Sequence, residues 1–379
     1  MYNSLEAFYD LKAKEISFLE LKKDYIFKEN LVLKKEVMVP ILMERLVEGI
    51  KDASIEEQIK LEDILEGMIY WIGVYPSHEL VAEYIQFLTD YSDQIEGYIL
   101  GEAYKSFEKG SIDETVIKMH ALNQISPQNP QYMYAYAFAL EEKTKKCLEE
   151  KELDQANIFI THGTRILERI IDLDSNYRMA YYKLGFHYYQ NRLFIKAKIM
   201  WEKFLAGENN REIATDYIEE VQKYLMGIQD EVLYEEGYSE ILRGQAQEGL
   251  EKLMPLEEKY PEWWNLHFMI GLGYRQIGAF EAARDKFLLV LELSPDQIDA
   301  INELGLCYAY LGENHGAVEQ FDKILHSQPE NAEVLCNRGM TFLQMGEVRR
   351  ARTDIEQAHA INPDDPVTQA CMMEIKKHI

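Results

Sequence analysis

The stretch from residue 230 to residue 365 repeats one arrangement of apolar, small and polar positions every 34 residues. In each period, apolar residues follow helical spacing twice, with a break at a glycine, which predicts two short antiparallel helices. Three ladders keep the same register: Gly237, Gly271, Gly305 and Gly339; Gly244, Gly278, Gly312 and Gly346; and Pro261, Pro295, Pro329 and Pro363. Four similar helical units are therefore expected in this stretch.

Small residues in each unit indicate how its two helices pack. In the unit 264–297, Gly271 and Ala283 lie where the helices are expected to cross. A larger residue there would overpack the contact at a cost of roughly 1–3 kcal/mol. Pro295 marks the end of the second helix. Since no unit buries both faces alone, stability is expected from stacking and from caps at the ends.

The period and the order of these residues resemble the tetratricopeptide repeat family. The last three units also carry the family's aromatic, alanine and large apolar positions: Tyr274, Tyr308 and Phe342; Ala283, Ala317 and Ala351; Phe287, Phe321 and Ile355. The resemblance implies an all-α, right-handed superhelical solenoid of helix-turn-helix repeats. It also implies a concave groove lined by the first helix of each unit.

Weaker forms of the pattern predict degenerate and extended units over residues 96–229. The first is degenerate, the second, 130–177, has lengthened helices, and the third, 178–211, has Asn209 in place of the proline. An extra helix over about 213–225 puts the array out of phase. The superhelix is expected either to continue across 212–229 or to divide there.

Residues 1–95 lack the repeat pattern. Their apolar spacing predicts four helices, starting near Asn3, Leu31, Ile59 and Ser77, with a capping box at Ser54 and Glu57 before the third. The first two are predicted to run to about Lys28 and Ile50, and Pro40 is expected to break the second, kink it or start its second half. This N-terminal helical region is expected to be either a divergent cap or a separate helical domain.

A short amphipathic stretch, residues 366–379, follows the last unit. Pro366 can start a helix there, and its apolar residues are predicted to face the array: Val367, Ala370, Cys371 and Ile375. Because an open solenoid end needs a solvated cover, this stretch is expected to be a C-terminal capping helix.

Charge and composition exclude several classes of partner. Forty basic against 66 acidic residues give a formal charge of −26, which opposes binding to nucleic acid and to anionic membranes. The most apolar run, 67–76, is too short to span a bilayer, and no export signal is visible. The four cysteines lack CxxC spacing, so reduced thiols and a cytoplasmic location are expected.

Catalytic and metal-binding patterns are not indicated. The nine histidines lack metal-ligand spacing, and the glycines mark helix crossings rather than a phosphate-binding loop. We therefore expect no enzymatic activity, no cofactor and no metal.

Candidate binding residues follow from the resemblance, carried over position by position along the first helix of each unit. They are Tyr182, Phe186, Tyr189, Phe268, Leu272, Arg275, Gln276, Asn302, Leu306, Tyr310, Cys336, Met340 and Gln344. Five apolar members are expected to form one strip across three units: Phe268, Leu272, Leu306, Tyr310 and Met340. Asn302 and Gln276 are expected to bind the backbone of an extended ligand.

The groove lining selects among partners. The family's clamp for the acidic C-termini of chaperones needs Lys, Asn and Arg at places where Phe268, Leu272 and Glu333 stand. The leading hypothesis is thus an interaction scaffold that binds an apolar or amphipathic peptide, or a helix, of another protein. In an opposing interpretation the protein's own helices fill the groove.

Two further hypotheses belong to other functional classes. One is a peptide-sensing regulator of Gram-positive type with an N-terminal helical effector domain, although 54–73 is too acidic for a DNA-recognition helix. The other is an enzyme with an unrecognised site in residues 1–95. Homo-oligomer formation stays open.

Overall fold

A computed structural model describes residues 4–28, 31–46, 60–207 and 214–378 of the chain. Asn3, the Ser54 and Glu57 capping box and Asn209 lie outside the described residues. The elements in chain order are α1 Leu5–Ala13, β1 Ile16–Leu19, β2 Tyr25–Lys28, β3 Leu31–Leu33, β4 Val39–Leu42, α2 Leu61–Val74, α3 Val81–Tyr91, α4 Ile95–Glu108, α5 Ile112–Ile125, α6 Pro130–Glu149, α7 Leu153–Leu173, α8 Arg178–Gln190, α9 Phe194–Leu205, α10 Thr215–Gly227, α11 Gln229–Leu242, α12 Ala246–Glu257, α13 Trp264–Gln276, α14 Phe280–Leu293, α15 Ile298–Tyr310, α16 Asn314–Ser327, α17 Ala332–Gln344, α18 Val348–Ile361 and α19 Pro366–Ile375.

Paired antiparallel helices dominate the fold, which is an all-α solenoid with four short strands near its start among the described residues. The two glycine ladders serve different purposes in it. A Cβ atom on Gly305 would lie 2.6 Å from the ring of Phe321, so the bare backbone lets α15 and α16 cross closely. Gly312, in the turn between them, has φ +76°, a conformation that favours glycine. The predicted helix pairs of 230–365 are confirmed.

The chain divides into two compact units, residues 1–221 and 222–379. The boundary falls within α10, the extra helix that the sequence predicts between two repeats. In the first unit, α6 and α7 span 20 and 21 residues, as expected for the extended repeat. Arg192 has φ +57° at the turn where other repeats carry glycine, so the same turn forms without that residue.

The helix predicted over residues 3–28 is wrong beyond Ala13, and strands replace the first part of the helix predicted over 31–50, whose last residues, 47–50, lie outside the described residues. The first ends at Ala13, and β1 then pairs antiparallel with β4, while β2 pairs with β3. Short runs of aromatic and branched apolar residues fit a strand as well as a helix turn, and Pro40 cannot continue a helix interior. Helix α2 presses on β4, because a Cβ atom on Gly67 would collide with the carbonyl oxygen of Pro40.

The N-terminal elements share a core with the first repeats. One cluster of buried apolar residues extends from Leu5 to Leu184. On α1, the ring of Phe8 packs edge-on against Phe159 of α7 at 5.3 Å, and the hydroxyls of Tyr9 and Tyr136 lie 2.7 Å apart. The N-terminal region therefore packs as part of the first unit.

The last helix, α19, packs on the end of the array, but only two of the four residues predicted to face the array are buried. Thr368 is buried beside Cys371 and Ile375, whereas Val367 and Ala370 are exposed. The Thr368 hydroxyl donates to the carbonyl oxygen of Asn362 at 2.7 Å, which satisfies the buried polar group. A satisfied hydroxyl can thus replace an apolar side chain on the inner face.

Candidate peptide-binding groove

The first unit contains a cavity of about 550 Å³, lined mainly by its first helices. We call it the aromatic pocket, because seven of its lining residues carry aromatic rings. The lining consists of Leu100, Tyr104, Met119, Gln131, Tyr132, Tyr134, Ala135, Phe138, Tyr177, Met179, Tyr182, Lys183 and Tyr217. Its volume falls within the range of roughly 300–1,000 Å³ that is typical of ligand pockets.

Repeat geometry brings these rings together. Leu100 and Tyr104 lie four residues apart on α4, and Tyr134 and Phe138 lie four apart on α6, so each pair shares one helix face. Tyr182 stands on α8 at the position matching Leu100 and Tyr134. Three successive first helices therefore contribute the same face to one cavity, which is how a groove is expected to form.

The extra helix α10 closes one side of the aromatic pocket. Its Tyr217 ring packs against Tyr182 at 5.0 Å, with the ring planes 73° apart. The Tyr182 hydroxyl donates to Glu220 Oε2 at 2.6 Å. Of the candidates on α8, Tyr182 is therefore in the groove but mostly covered by the protein's own helix.

The other two candidates on α8 do not line this pocket. Phe186 packs edge-on against Trp201 at 5.0 Å, and Tyr189 packs against Phe194 at 6.0 Å. Both contacts are made to α9, the second helix of the same repeat. Their aromatic rings therefore stabilise the helix pair.

A buried charge network contacts Lys183, the basic residue of the pocket lining. Lys183 donates to Glu141 Oε2 at 2.5 Å, and His187 Nε2 lies 3.1 Å from Glu141 Oε1. Burial by itself would raise the pKa of Glu141, but the His187 hydrogen bond and the Lys183 charge outweigh it and hold that pKa below its usual value. Glu141 therefore carries a negative charge at neutral pH, which compensates the ammonium of Lys183.

In the second unit, the predicted apolar strip is partly built into the core. Phe268, Leu272, Leu306 and Met340 are half-buried and pack against the clusters beneath them. Tyr310 is 62% exposed and stacks flat on Phe280 at 4.5 Å. Tyr310 is thus the strip residue that offers the most surface to a partner.

Several predicted polar contacts are used inside the protein. Arg275 forms an ion pair with Glu303 on the next first helix. Asn302 donates to Glu333 at 3.1 Å and accepts from Asn337 at 3.0 Å. Gln276 donates to the carbonyl oxygen of Ile241 at 3.1 Å. These bonds join neighbouring helices. The side-chain amides of Asn302 and Gln276, which were predicted to bind a ligand backbone, are therefore already hydrogen-bonded within the protein.

Cys336 was expected in the groove, and this is wrong. Its side chain is fully buried, and its thiol hydrogen-bonds with that of Cys371, which raises the pKa of Cys336. The cause is α19, which packs over this position of the last repeat. Gln344, at the other end of α17, is exposed.

Two groove positions in the second unit escaped the sequence analysis. Tyr234 and Tyr238 on α11 lie 34 residues before Phe268 and Leu272 and stack at 6.3 Å. Tyr234 also packs against Trp263 at 4.3 Å. Subtracting one period from the strong unit would have found them. The residues Tyr104, Tyr134 and Phe138 of the aromatic pocket lie in the degenerate and extended units, where the repeat pattern is weak, so they too were not recognised as groove positions.

Across the described ranges, no group of three or more His, Cys, Asp or Glu side chains is arranged to hold a metal ion. None of the helices described combines the length and apolarity that a bilayer crossing requires.

Comparison with known proteins identifies the repeat. The family profile "Tetratricopeptide repeat" matches residues 332–365, which confirms the resemblance drawn from the ladders. No curated protein sequence matches the chain.

Three solved structures illustrate the similarity. With the APC/C hetero-tetramer Cut9–Hcn1 the identity is 12% and the TM-score 0.41, over 83% of this chain and 63% of that one. With YrrB, described as a TPR protein with an unusual peptide-binding site, the identity is 18% and the TM-score 0.28, over 67% of this chain and 97% of that one. With the Arabidopsis OM64 TPR domain the identity is 14% and the TM-score 0.29, over 31% of this chain and 96% of that domain.

Proposed function

We propose that this chain, a tetratricopeptide repeat protein, is a non-enzymatic scaffold that holds a segment of another protein in the groove of its first unit. The aromatic pocket is the observation that carries the proposal. It gathers seven aromatic rings, five of them on three successive first helices, around a cavity of about 550 Å³. A cytoplasmic location belongs to the same proposal, supported by four buried cysteines with free thiols.

The chemistry of the lining suits a peptide. Tyrosine offers a large rigid surface at low cost in side-chain entropy, and it is enriched where binding energy concentrates. Tyr104 is 51% exposed at the cavity, so its ring is available without any rearrangement of the core. Its hydroxyl and the Gln131 amide can bond with the backbone of an extended segment.

A library experiment tests the proposal. The full chain is immobilised, a displayed library of random 12-residue peptides is selected against it, and the dissociation constants of the enriched peptides are measured. Tyr104→Ala should weaken them at least tenfold, about 1.4 kcal/mol. Tyr98→Ala is the matched control, because Tyr98 is an exposed tyrosine on the same helix that does not line the pocket. Equal affinities for wild type and Tyr104→Ala would contradict the proposal.

A second binding surface is supported by Tyr310 in the other unit, where the predicted strip lies. Leu306 packs against the core, so Leu306→Asp would disturb folding as well as binding. Tyr310→Ala is the cleaner variant, since most of that ring is exposed. Peptides that lose affinity with Tyr310→Ala, but keep it with Glu319→Lys on the second helix α16, would place a binding surface on the strip.

A further inference from the structure

We propose that the aromatic pocket selects a partner segment that carries a lysine or arginine side chain. This inference rests on the proposed function, since it names the chemical class of the segment that the pocket would hold. Three features of the pocket support it: the arrangement of its rings, the charges in contact with its lining, and a cation that it already accommodates.

The rings stand at angles that suit a cation. Tyr134 and Tyr177 pack at 5.5 Å with their planes 46° apart, and Tyr182 and Tyr217 pack at 5.0 Å and 73°. Inclined rings present more than one face to the space between them. Because the face of an aromatic ring is its negative side, such a cavity attracts an ammonium or guanidinium group.

Carboxylates surround the lining. Glu96 accepts a hydrogen bond from the hydroxyl of Tyr132 at 2.8 Å, and Glu220 accepts one from Tyr182 at 2.6 Å. Glu141 accepts a hydrogen bond from Lys183, the one basic side chain among the lining residues. Three carboxylates therefore contact lining side chains that include a single ammonium, and the surplus charge is negative. An acidic segment would be repelled, in keeping with the charge of −26 on the whole chain.

The pocket already holds one cation against a ring. The ammonium of Lys183 lies 5.8 Å from the centre of the Phe138 ring while it donates to Glu141. A guest lysine or arginine can follow the same pattern, with its charged end near Glu96 or Glu220. Its aliphatic stem can lie along Leu100 and Met119, because long basic side chains bury their stems on apolar surface.

The peptide library provides the test. Lysine and arginine should be enriched, and aspartate and glutamate depleted, among peptides that bind wild type but not Tyr104→Ala. For the best such peptide, replacing the arginine by citrulline or the lysine by norleucine should weaken binding about fivefold, which is the effect of a cation–π contact of about 1 kcal/mol. Raising the salt concentration should weaken the charged peptide more than the neutral one.

Charge variants of the protein complete the test. Glu96→Gln and Glu220→Gln keep an oxygen that can accept the hydrogen bond from the tyrosine hydroxyl, but they remove the negative charge. Each should therefore weaken binding of the charged peptide about two- to fivefold and leave binding of the neutral peptide unchanged. Glu102→Gln on α4 is the control, because Glu102 pairs with Lys105 and does not line the pocket. If binding depends on Tyr104 but the peptides are neutral or acidic, the inference fails while the proposed function stands. If binding does not depend on Tyr104, both fail.

Discussion

The Tyr182 hydroxyl donates a hydrogen bond of 2.6 Å to Glu220, and this bond joins α8 to the extra helix α10. Tyr182→Phe should lower the free energy of unfolding by about 1 kcal/mol, the usual net contribution of one hydrogen bond. Urea unfolding of the full chain measures the difference. Tyr181→Phe is the control, because the hydroxyl of Tyr181 on the same helix has no hydrogen bond among the described residues, and it should change little. Equal losses in both variants would show that the bond does not stabilise the fold.

Replacing Gly305 and Gly97 by alanine should change the stability of the chain in opposite directions. A Cβ atom on Gly305 would lie 2.6 Å from the Phe321 ring, so Gly305→Ala should destabilise the chain by roughly 1–3 kcal/mol through overpacking. Gly97, on the exposed side of α4, has nothing within 4 Å of that position. Gly97→Ala should stabilise the chain by about 0.5–1 kcal/mol, because alanine loses less backbone entropy in a helix. Thermal melting measures both stability changes. If both variants are stabilised, or both destabilised, the different roles assigned to the two glycines are wrong.

His120 makes the stability of the first unit depend on pH. Its ring is stacked between Tyr9 and Tyr136 at 4.7 and 4.9 Å. Nδ1 donates to the Gly73 carbonyl oxygen at 2.6 Å and Nε2 accepts from Gln124 at 2.9 Å, so the neutral ring is fully bonded. Burial lowers the pKa of His120 from 6.5 to about 4.

Between pH 6.5 and pH 4 the unfolded chain therefore binds a proton that the folded chain does not bind at His120. Stability should fall as the pH falls through this window, by roughly 3 kcal/mol in total. His120→Gln should remove about 1.4 kcal/mol per pH unit from that slope, whatever its effect at pH 7. His315→Gln, at an exposed position, should keep the wild-type slope. An unchanged slope in His120→Gln would show that another group is responsible.

The sequence predicts the helical units well where one residue type satisfies one physical demand. Gly305 and Gly312 are required by a close crossing and by a left-handed turn, and both constraints are visible as a period. The sequence does not reveal the strands near Ile16 and Val39, because a short, mostly apolar run fits either a helix or a strand, and only tertiary pairing decides between them. Aligning the degenerate units with the strong repeats would have identified Tyr104, Tyr134 and Phe138 as groove positions.

The candidate groove residues lie on first helices, but their repeat positions do not show which of them other helices cover. Repeat position says which face a residue occupies, and it does not say what covers that face. Cys336 is covered by α19, and Tyr182 is largely covered by α10. Both covering helices lie outside the repeat pattern, so their contacts could not be read from the period.

The central claim is that a partner segment binds in the aromatic pocket, and site-specific crosslinking measures this most directly. A photoreactive benzoylphenylalanine is placed at position 104 in one variant of the full chain and at position 98 in another. Each is irradiated with the tightest peptide from the library, and the crosslinked residues are mapped by mass spectrometry. We predict efficient crosslinking from position 104 and little from position 98, since only Tyr104 lines the pocket. Crosslinking from position 98 without crosslinking from position 104 would contradict the claim.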